Sequence, residues 1–187
     1  PDIAVRDSIC LLRKSYRFDA NSGIGQLATA VNLGDTARAR RCFDGQFSDI
    51  AWIPMTKDED YSTLIQTCVD GYRSTLQLVA NMADAADVLA SFSRFRLLCA
   101  LREGPFGQTG LNERIELALA KAKLIHKPTQ AHQRWYSGRP VMVTRNDSSL
   151  GLFNGDIGIA LADSAGNIRV YFQLPDGSIK SVQPSRL

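Results

Sequence analysis

Leu97-Leu98-Cys99-Ala100-Leu101-Arg102-Glu103-Gly104-Pro105-Phe106-Gly107-Gln108-Thr109-Gly110 passes from a wholly apolar run into a glycine-rich turn. An apolar run without alternation is the pattern of a strand buried on both faces of a parallel sheet. Beyond the turn, Leu111, Ile115, Ala118, Leu119 and Ala122 recur at helical spacing and share one face. Strand, loop and helix in this order make half of a parallel βα unit, so the stretch predicts an α/β fold.

Toward the N-terminus, Ser8-Ile9-Cys10-Leu11-Leu12 reads as another short buried strand leading into Ser15-Tyr16-Arg17-Phe18. Ser22 is placed to cap a helix carrying Ile24, Leu27, Ala28 and Val31, with Gly34 ending it and Asp35 capping the next. An edge segment is predicted near residues 50–53. The stripe Tyr61, Leu64, Ile65, Cys68, Val69, Tyr72, Leu76, Val79 then specifies one long helix, and Asp84 caps a shorter one with Val88, Leu89 and Phe92.

Toward the C-terminus, residues 128–138 are polar and turn-rich, and the periodicity beyond them changes from helical to alternating. Val141-Met142-Val143, then Ile157, Ile159 and Leu161, then Ile168, Val170, Phe172 and Leu174, then Ile179 and Val182 predict four short strands. Asn154-Gly155, Gly166-Asn167 and Asp176-Gly177 tolerate the positive φ of tight hairpin turns. A small antiparallel barrel is the expected result, with a domain boundary in the polar stretch before it.

The chain has 187 residues, 44% of them hydrophobic, and a formal net charge of +3. That supports a folded core but is too mild to assign a polyanionic partner. No run is long and apolar enough to span a bilayer, and the first residues lack a signal pattern, which makes a cytoplasmic location the default. Cys10, Cys42, Cys68 and Cys99 are far apart and lie in or beside apolar stretches, as packed thiols do. With only His126 and His132 and no cysteine pair, a zinc site is not expected.

Glycines at a helix start let phosphate oxygens approach backbone N–H groups. Gly104 to Gly110 nevertheless follows neither the dinucleotide nor the Walker A spacing, and an ordinary structural turn is the competing reading. Asn112 either caps the helix or points outward toward a ligand. Arg17 is either a solvated arginine or, at a strand end, a bidentate phosphate partner. Arg139, Arg145, Asn146 and Asn154 surround the first barrel loop as a possible polar nucleic-acid rim, or as plain loop polarity. Lys121, Lys123 and Lys127 suit the negative end of the helix dipole. No serine–histidine–acid set, carboxylate pair or metal cluster emerges, so the chain by itself is expected to be catalytically inert.

The block Gly138-Arg139-Pro140-Val141-Met142-Val143-Thr144-Arg145-Asn146-Asp147, followed by Gly151-Leu152-Phe153-Asn154-Gly155-Asp156-Ile157-Gly158, closely resembles RecD-family helicases. So do Leu98 to Gly107 with Leu111-Asn112, Ser15-Tyr16-Arg17-Phe18 and the ending Ser181 to Leu187. Residues 33–92 match less closely. The resemblance implies a superfamily-one motor, the alpha subunit of exonuclease V, that hydrolyses ATP with Mg and moves five-prime to three-prime on single-stranded DNA in break repair and recombination. RecB and RecC are the implied partners.

It also implies that residues 1–127 are part of a second RecA-like motor domain, 128–138 a linker and 139–187 an SH3-like barrel insertion. Arg17 then becomes an ATP-phosphate contact, and Arg102, Asn112, Arg145, Asn146 and Asn154 become DNA-contact candidates. The family's P-loop and acidic magnesium-binding motif have no counterpart here, which makes the chain look like an internal piece of a longer protein. The competing function is a non-catalytic SH3-like module that binds nucleic acid or protein.

Overall fold

The computed structural model describes residues 18–128 and 133–187. The predicted strand at Ser8 to Leu12, Arg17, Cys10 and His132 lie outside the described residues. The chain divides into two compact units, residues 1–56 and 57–187.

In the first unit, helix α1 (Gly23–Asn32) starts where expected, because the Ser22 side chain accepts from the Gly25 amide at 3.1 Å. A distant carboxylate completes that start: Asp49 accepts from the amides of Gly23 and Ile24, each at 3.0 Å. Those bonds, the Ile24 amide foremost, hold the Asp49 carboxyl below the usual carboxylate range. Gly34 carries the positive φ of 69° that ends a helix, and Asp35 caps α2 (Thr36–Arg41) through the Arg38 amide. The segment near residues 50–53 is irregular and mostly exposed, where an edge strand was predicted.

The second unit opens with α3 (Asp58–Ala80), the long helix required by the Tyr61-to-Val79 stripe. It is followed by α4 (Ala85–Phe92) and α5 (Gln108–Lys121). Cys68, Val69 and Leu76 of α3 pack with Leu111, Ile115 and Leu119 of α5 in one core, together with Ile125 and Tyr136. Gly71 is small for a reason, since a Cβ there would lie 2.7 Å from the Phe95 ring. Phe95 meets Tyr72 edge-on with ring centroids 5.0 Å apart.

The apolar run Leu97 to Leu101 is a correction to the sequence reading. It forms no strand, and Leu98 is 89% exposed. An apolar run becomes a buried strand only beside a partner strand, and no parallel sheet occurs among the described residues.

Four strands follow the polar stretch: β1 (Pro140–Met142), β2 (Ile157–Ala162), β3 (Ile168–Gln173) and β4 (Ile179–Val182). They form one antiparallel meander in the order β1-β2-β3-β4. Gly155, Gly166 and Gly177 take positive φ at the three connections, as their turns require. Asp163 and Asp176 fasten two of those turns by accepting backbone amides of Asn167 and Ser178.

Alternation gives the sheet two buried faces. Ile159 and Leu161 pack on Val88, Leu89 and Phe92 of α4. Leu152, Ala160, Val170, Phe172 and Val182 form a separate core on the other side. The expected barrel is corrected to an open sheet, because β4 and β1 do not pair among the described residues.

Candidate nucleic-acid interface

The connection from β1 to β2 is a built loop rather than a slack one. Val143 and Asp156 are joined by the Val143 amide to the Asp156 carbonyl at 2.8 Å, and Gly155 N–H donates back to the Val143 carbonyl at 2.8 Å. Asp147 and Leu152 exchange backbone bonds of 2.8 and 3.0 Å. The carboxylates of two aspartates fasten what remains. Asp147 accepts from the Ser149 hydroxyl at 2.6 Å and the Leu150 amide at 3.0 Å, and Asp156 accepts from the Phe153 amide at 2.7 Å. The Ser149 hydroxyl, then the Leu150 amide, hold the Asp147 carboxyl low, and the charge of Arg186 adds to the effect.

Arg145, Asn146 and Asn154 are all exposed on this loop. Asn146 and Asn154 are brought together directly, since the Asn154 amide donates to Asn146 Oδ1 at 2.9 Å. That leaves the Asn146 amide nitrogen and the whole Asn154 side chain facing outward as hydrogen-bonding groups. The Lys180 ammonium reaches across from β4 to the Leu150 carbonyl and places a cation against the loop. Sequence reasoning missed Lys180, Arg186 and the half-exposed Phe153. The Asp-x-Ser and Asp156 positions around the turn were the available signal for the loop's rigidity.

Arg102 and Asn112 sit elsewhere, on the glycine turn and on α5, and both are exposed. Among the described residues no hydrogen bond or ion pair joins them to the 143–156 loop. Asn112 lies inside α5, whose N-cap is Gly107, so the capping alternative for Asn112 falls away.

The glycine turn spends its own donors: Gln108 N–H goes to the Leu101 carbonyl at 2.9 Å and Thr109 N–H to the Arg102 carbonyl at 3.0 Å. Those are the amides a phosphate would need at this helix start. Gly107 is required by close backbone approach, because a Cβ there would lie 2.3 Å from the Glu103 carbonyl oxygen. Tyr61 anchors the turn through its hydroxyl on the Pro105 carbonyl at 2.8 Å and its ring on Phe106.

Arg139 is not on the loop. It precedes β1 and turns toward Tyr136, with its guanidinium carbon 5.8 Å from the ring centroid, while donating to the Arg134 carbonyl. Nearby, Glu116 of α5 receives the Tyr136 hydroxyl at 2.6 Å and the Lys127 ammonium at 2.5 Å, one on each oxygen. Burial pushes the Glu116 carboxyl up, but those two bonds and the charges of Lys127 and Arg139 outweigh it and leave the group below its usual value. Burial and the same carboxylate push the Tyr136 phenol far up. Lys127 is thus a specific partner rather than a generic helix-end charge.

Among the described residues no group of three or more His, Cys, Asp or Glu side chains could hold a metal ion. The Gln108 and Thr109 amides at the start of α5 are also already engaged, so these residues do not fit a nucleotide–Mg site. No described helix is long and apolar enough to cross a membrane.

Residues 111–172 match the family described as the ATP-dependent RecD-like DNA helicase SH3 domain. The match begins in α5 and runs through the built loop into β3. The similarity thus takes in most of α5, the polar stretch, the built loop and the first three strands.

The particular relatives are RecD subunits of the RecBCD enzyme. The chain is 29% identical over 178 residues to the subunit of Buchnera aphidicola subsp. Acyrthosiphon pisum, covering 95% of the chain and 30% of that protein. To the Haemophilus influenzae subunit it is 31% identical over 175 residues, 85% of the chain and 27% of the relative. To that of Mycobacterium tuberculosis CDC 1551 it is 32% identical over 165 residues, 87% and 27% respectively. The similarity to these subunits covers 85–95% of the chain, which spans under a third of their length.

Proposed function

We propose that this chain is the part of a RecD-type, ATP-dependent, five-prime to three-prime DNA helicase subunit that meets single-stranded DNA through the 143–156 loop. The observation that carries the reading is the loop itself. It is held by backbone pairs and two aspartates, it turns Arg145, Asn146 and Asn154 to solvent, and it lies within the segment similar to the RecD-like SH3 domain. Rigid loops presenting polar donors and a cation suit a strand's phosphates and base edges, because little ordering entropy is lost on binding. Arg102 on the glycine turn and Asn112 on α5 would make a second strand contact, separate from the loop.

In the longer protein, residues 1–127 would belong to a second RecA-like motor domain, with 128–138 a linker and 139–187 the SH3-like insertion. The run Leu97 to Leu101, of which Leu98, Ala100 and Leu101 are exposed here, would then be a strand of the motor's parallel sheet. ATP and Mg would be held largely by that protein's other domain, with Arg17 reaching the phosphates. RecB and RecC would be its partners in a cytoplasmic exonuclease V acting in DNA repair and recombination.

The test is Arg17→Ala in the longer protein. Hydrolysis and unwinding should collapse while ATP and DNA still bind; normal unwinding would remove Arg17 from the motor. Loop variants of the present chain test the DNA contact separately. Binding of a labelled single strand should weaken in Arg145→Ala and Asn154→Ala and should fall steeply with salt, as phosphate contacts release counterions.

A further inference from the structure

Beside α5 the chain forms a cleft of about 270 Å³ lined by Glu116, Lys127, Gln133, Arg134, Tyr136 and Arg139. It brings together three cations and one carboxylate. The carboxylate is already occupied, with Tyr136 on Oε1 at 2.6 Å and Lys127 on Oε2 at 2.5 Å. Arg134 and Arg139 form no salt bridge among the described residues. Arg139 is oriented, since its Nη1 donates to the Arg134 carbonyl and its guanidinium carbon lies 5.8 Å from the Tyr136 ring centroid.

The cleft is therefore concave and carries a net positive charge that Glu116 does not satisfy. Cations clustered in one concavity raise the local concentration of anions, and guanidinium forks match phosphate oxygens two at a time. We propose that this cleft is a phosphate-binding site in which Arg134 and Arg139 grip the anion and the Glu116–Tyr136–Lys127 set holds the wall in place. The phosphate could be a phosphodiester of the DNA strand or that of a free nucleotide. The strand source rests on the function proposed above; the nucleotide source does not.

The experiment uses the 187-residue chain. Binding of a short labelled single-stranded oligonucleotide and of adenosine monophosphate is measured for wild type, Arg134→Ala, the Arg134→Ala/Arg139→Ala pair, and the control Arg94→Ala, an exposed arginine outside the cleft. Arg134→Ala alone guards against misfolding, since the Arg134 side chain is exposed, whereas Arg139 lies against Tyr136.

If the strand is the ligand, the pair should weaken oligonucleotide binding roughly tenfold and lower the salt slope by about 1.4, the value for two phosphate contacts on a single strand. Arg94→Ala should change neither. If the nucleotide is the ligand, the same pair should remove adenosine monophosphate binding.

The proposal is overturned if wild type binds neither probe or if the pair binds both as wild type does. Loss of strand binding in the Arg145 and Asn154 variants but not in the cleft variants, with no change in adenosine monophosphate binding by the pair, would sink the cleft and spare the proposed function. Nucleotide binding through the cleft without any strand binding would do the reverse.

Discussion

The backbone amide of Asn154 donates to the side-chain oxygen of Asn146 at 2.9 Å, closing the tip of the 143–156 loop across eight residues of chain. A loop closed in this way presents one shape to a ligand. Asn146→Ala leaves the Asn154 amide to solvent, and is predicted to cost about 1 kcal/mol. The Asn154 amide should exchange with deuterium faster in that variant, while Asn146→Asp, which keeps the acceptor, should retain protection. Equal exchange in all three proteins would show that the bond does not hold the loop.

Gly158 lies under the Phe172 ring. A Cβ at residue 158 would meet Phe172 Cε1 and the Tyr171 carbonyl oxygen, both at 2.7 Å. A buried ring and a strand carbonyl must both shift to admit it, so Gly158→Ala should destabilise the chain by about 1–3 kcal/mol through overpacking. Phe172→Ala, which empties the centre of the same core, should cost about 3–5 kcal/mol. Denaturant midpoints of the two variants check both values. A Gly158→Ala protein as stable as wild type would mean that the sheet backbone shifts freely there.

Much of this core was legible in the residues. Alternation from Val141 to Val182 specified the strands and their turns, and the Tyr61-to-Val79 stripe specified α3, because period and turn chemistry are local properties. The run Leu97 to Leu101 forms no strand here because burial of a strand is not local; it depends on neighbours that the pattern cannot supply. For the same reason the tie between Glu116, Lys127 and Tyr136 went unseen, since those residues come together only after the chain folds back from α5. Of the site candidates, Asn146 and Asn154 meet, Arg102 and Asn112 lie on another surface, and Arg139 faces the cleft.

Glu116 gives a pH dependence with a definite sign. Its folded carboxyl lies below the ordinary 4.5, so its stabilising contribution is present above that value and is lost as pH falls through the lowered folded value. Several aspartates behave alike, so the informative quantity is the difference between wild type and Glu116→Gln. The stability gap between them should be widest near neutrality and should close in acid. A gap independent of pH would exclude an ionised Glu116 as the tie.

Leu98, in the run Leu97 to Leu101, separates the chain from the protein proposed to contain it. Leu98 is nearly free of contacts here, so Leu98→Asp should change the stability of this chain by no more than about 0.5 kcal/mol. In the longer helicase, where the run would sit inside a parallel sheet, the same change should bury an unpaired charge and abolish folding of the motor domain. Thermal unfolding of both proteins decides it, and a harmless Leu98→Asp in the longer protein would contradict the proposed strand.

Unwinding polarity bears most directly on the central claim. The longer protein containing this chain is given duplexes with a five-prime or a three-prime single-stranded tail, with and without ATP, as wild type and as Asn154→Ala. ATP-dependent unwinding of the five-prime-tailed duplex alone, weakened by Asn154→Ala, is the predicted result. Absence of ATP-dependent unwinding, or unwinding confined to the three-prime-tailed duplex, would contradict it.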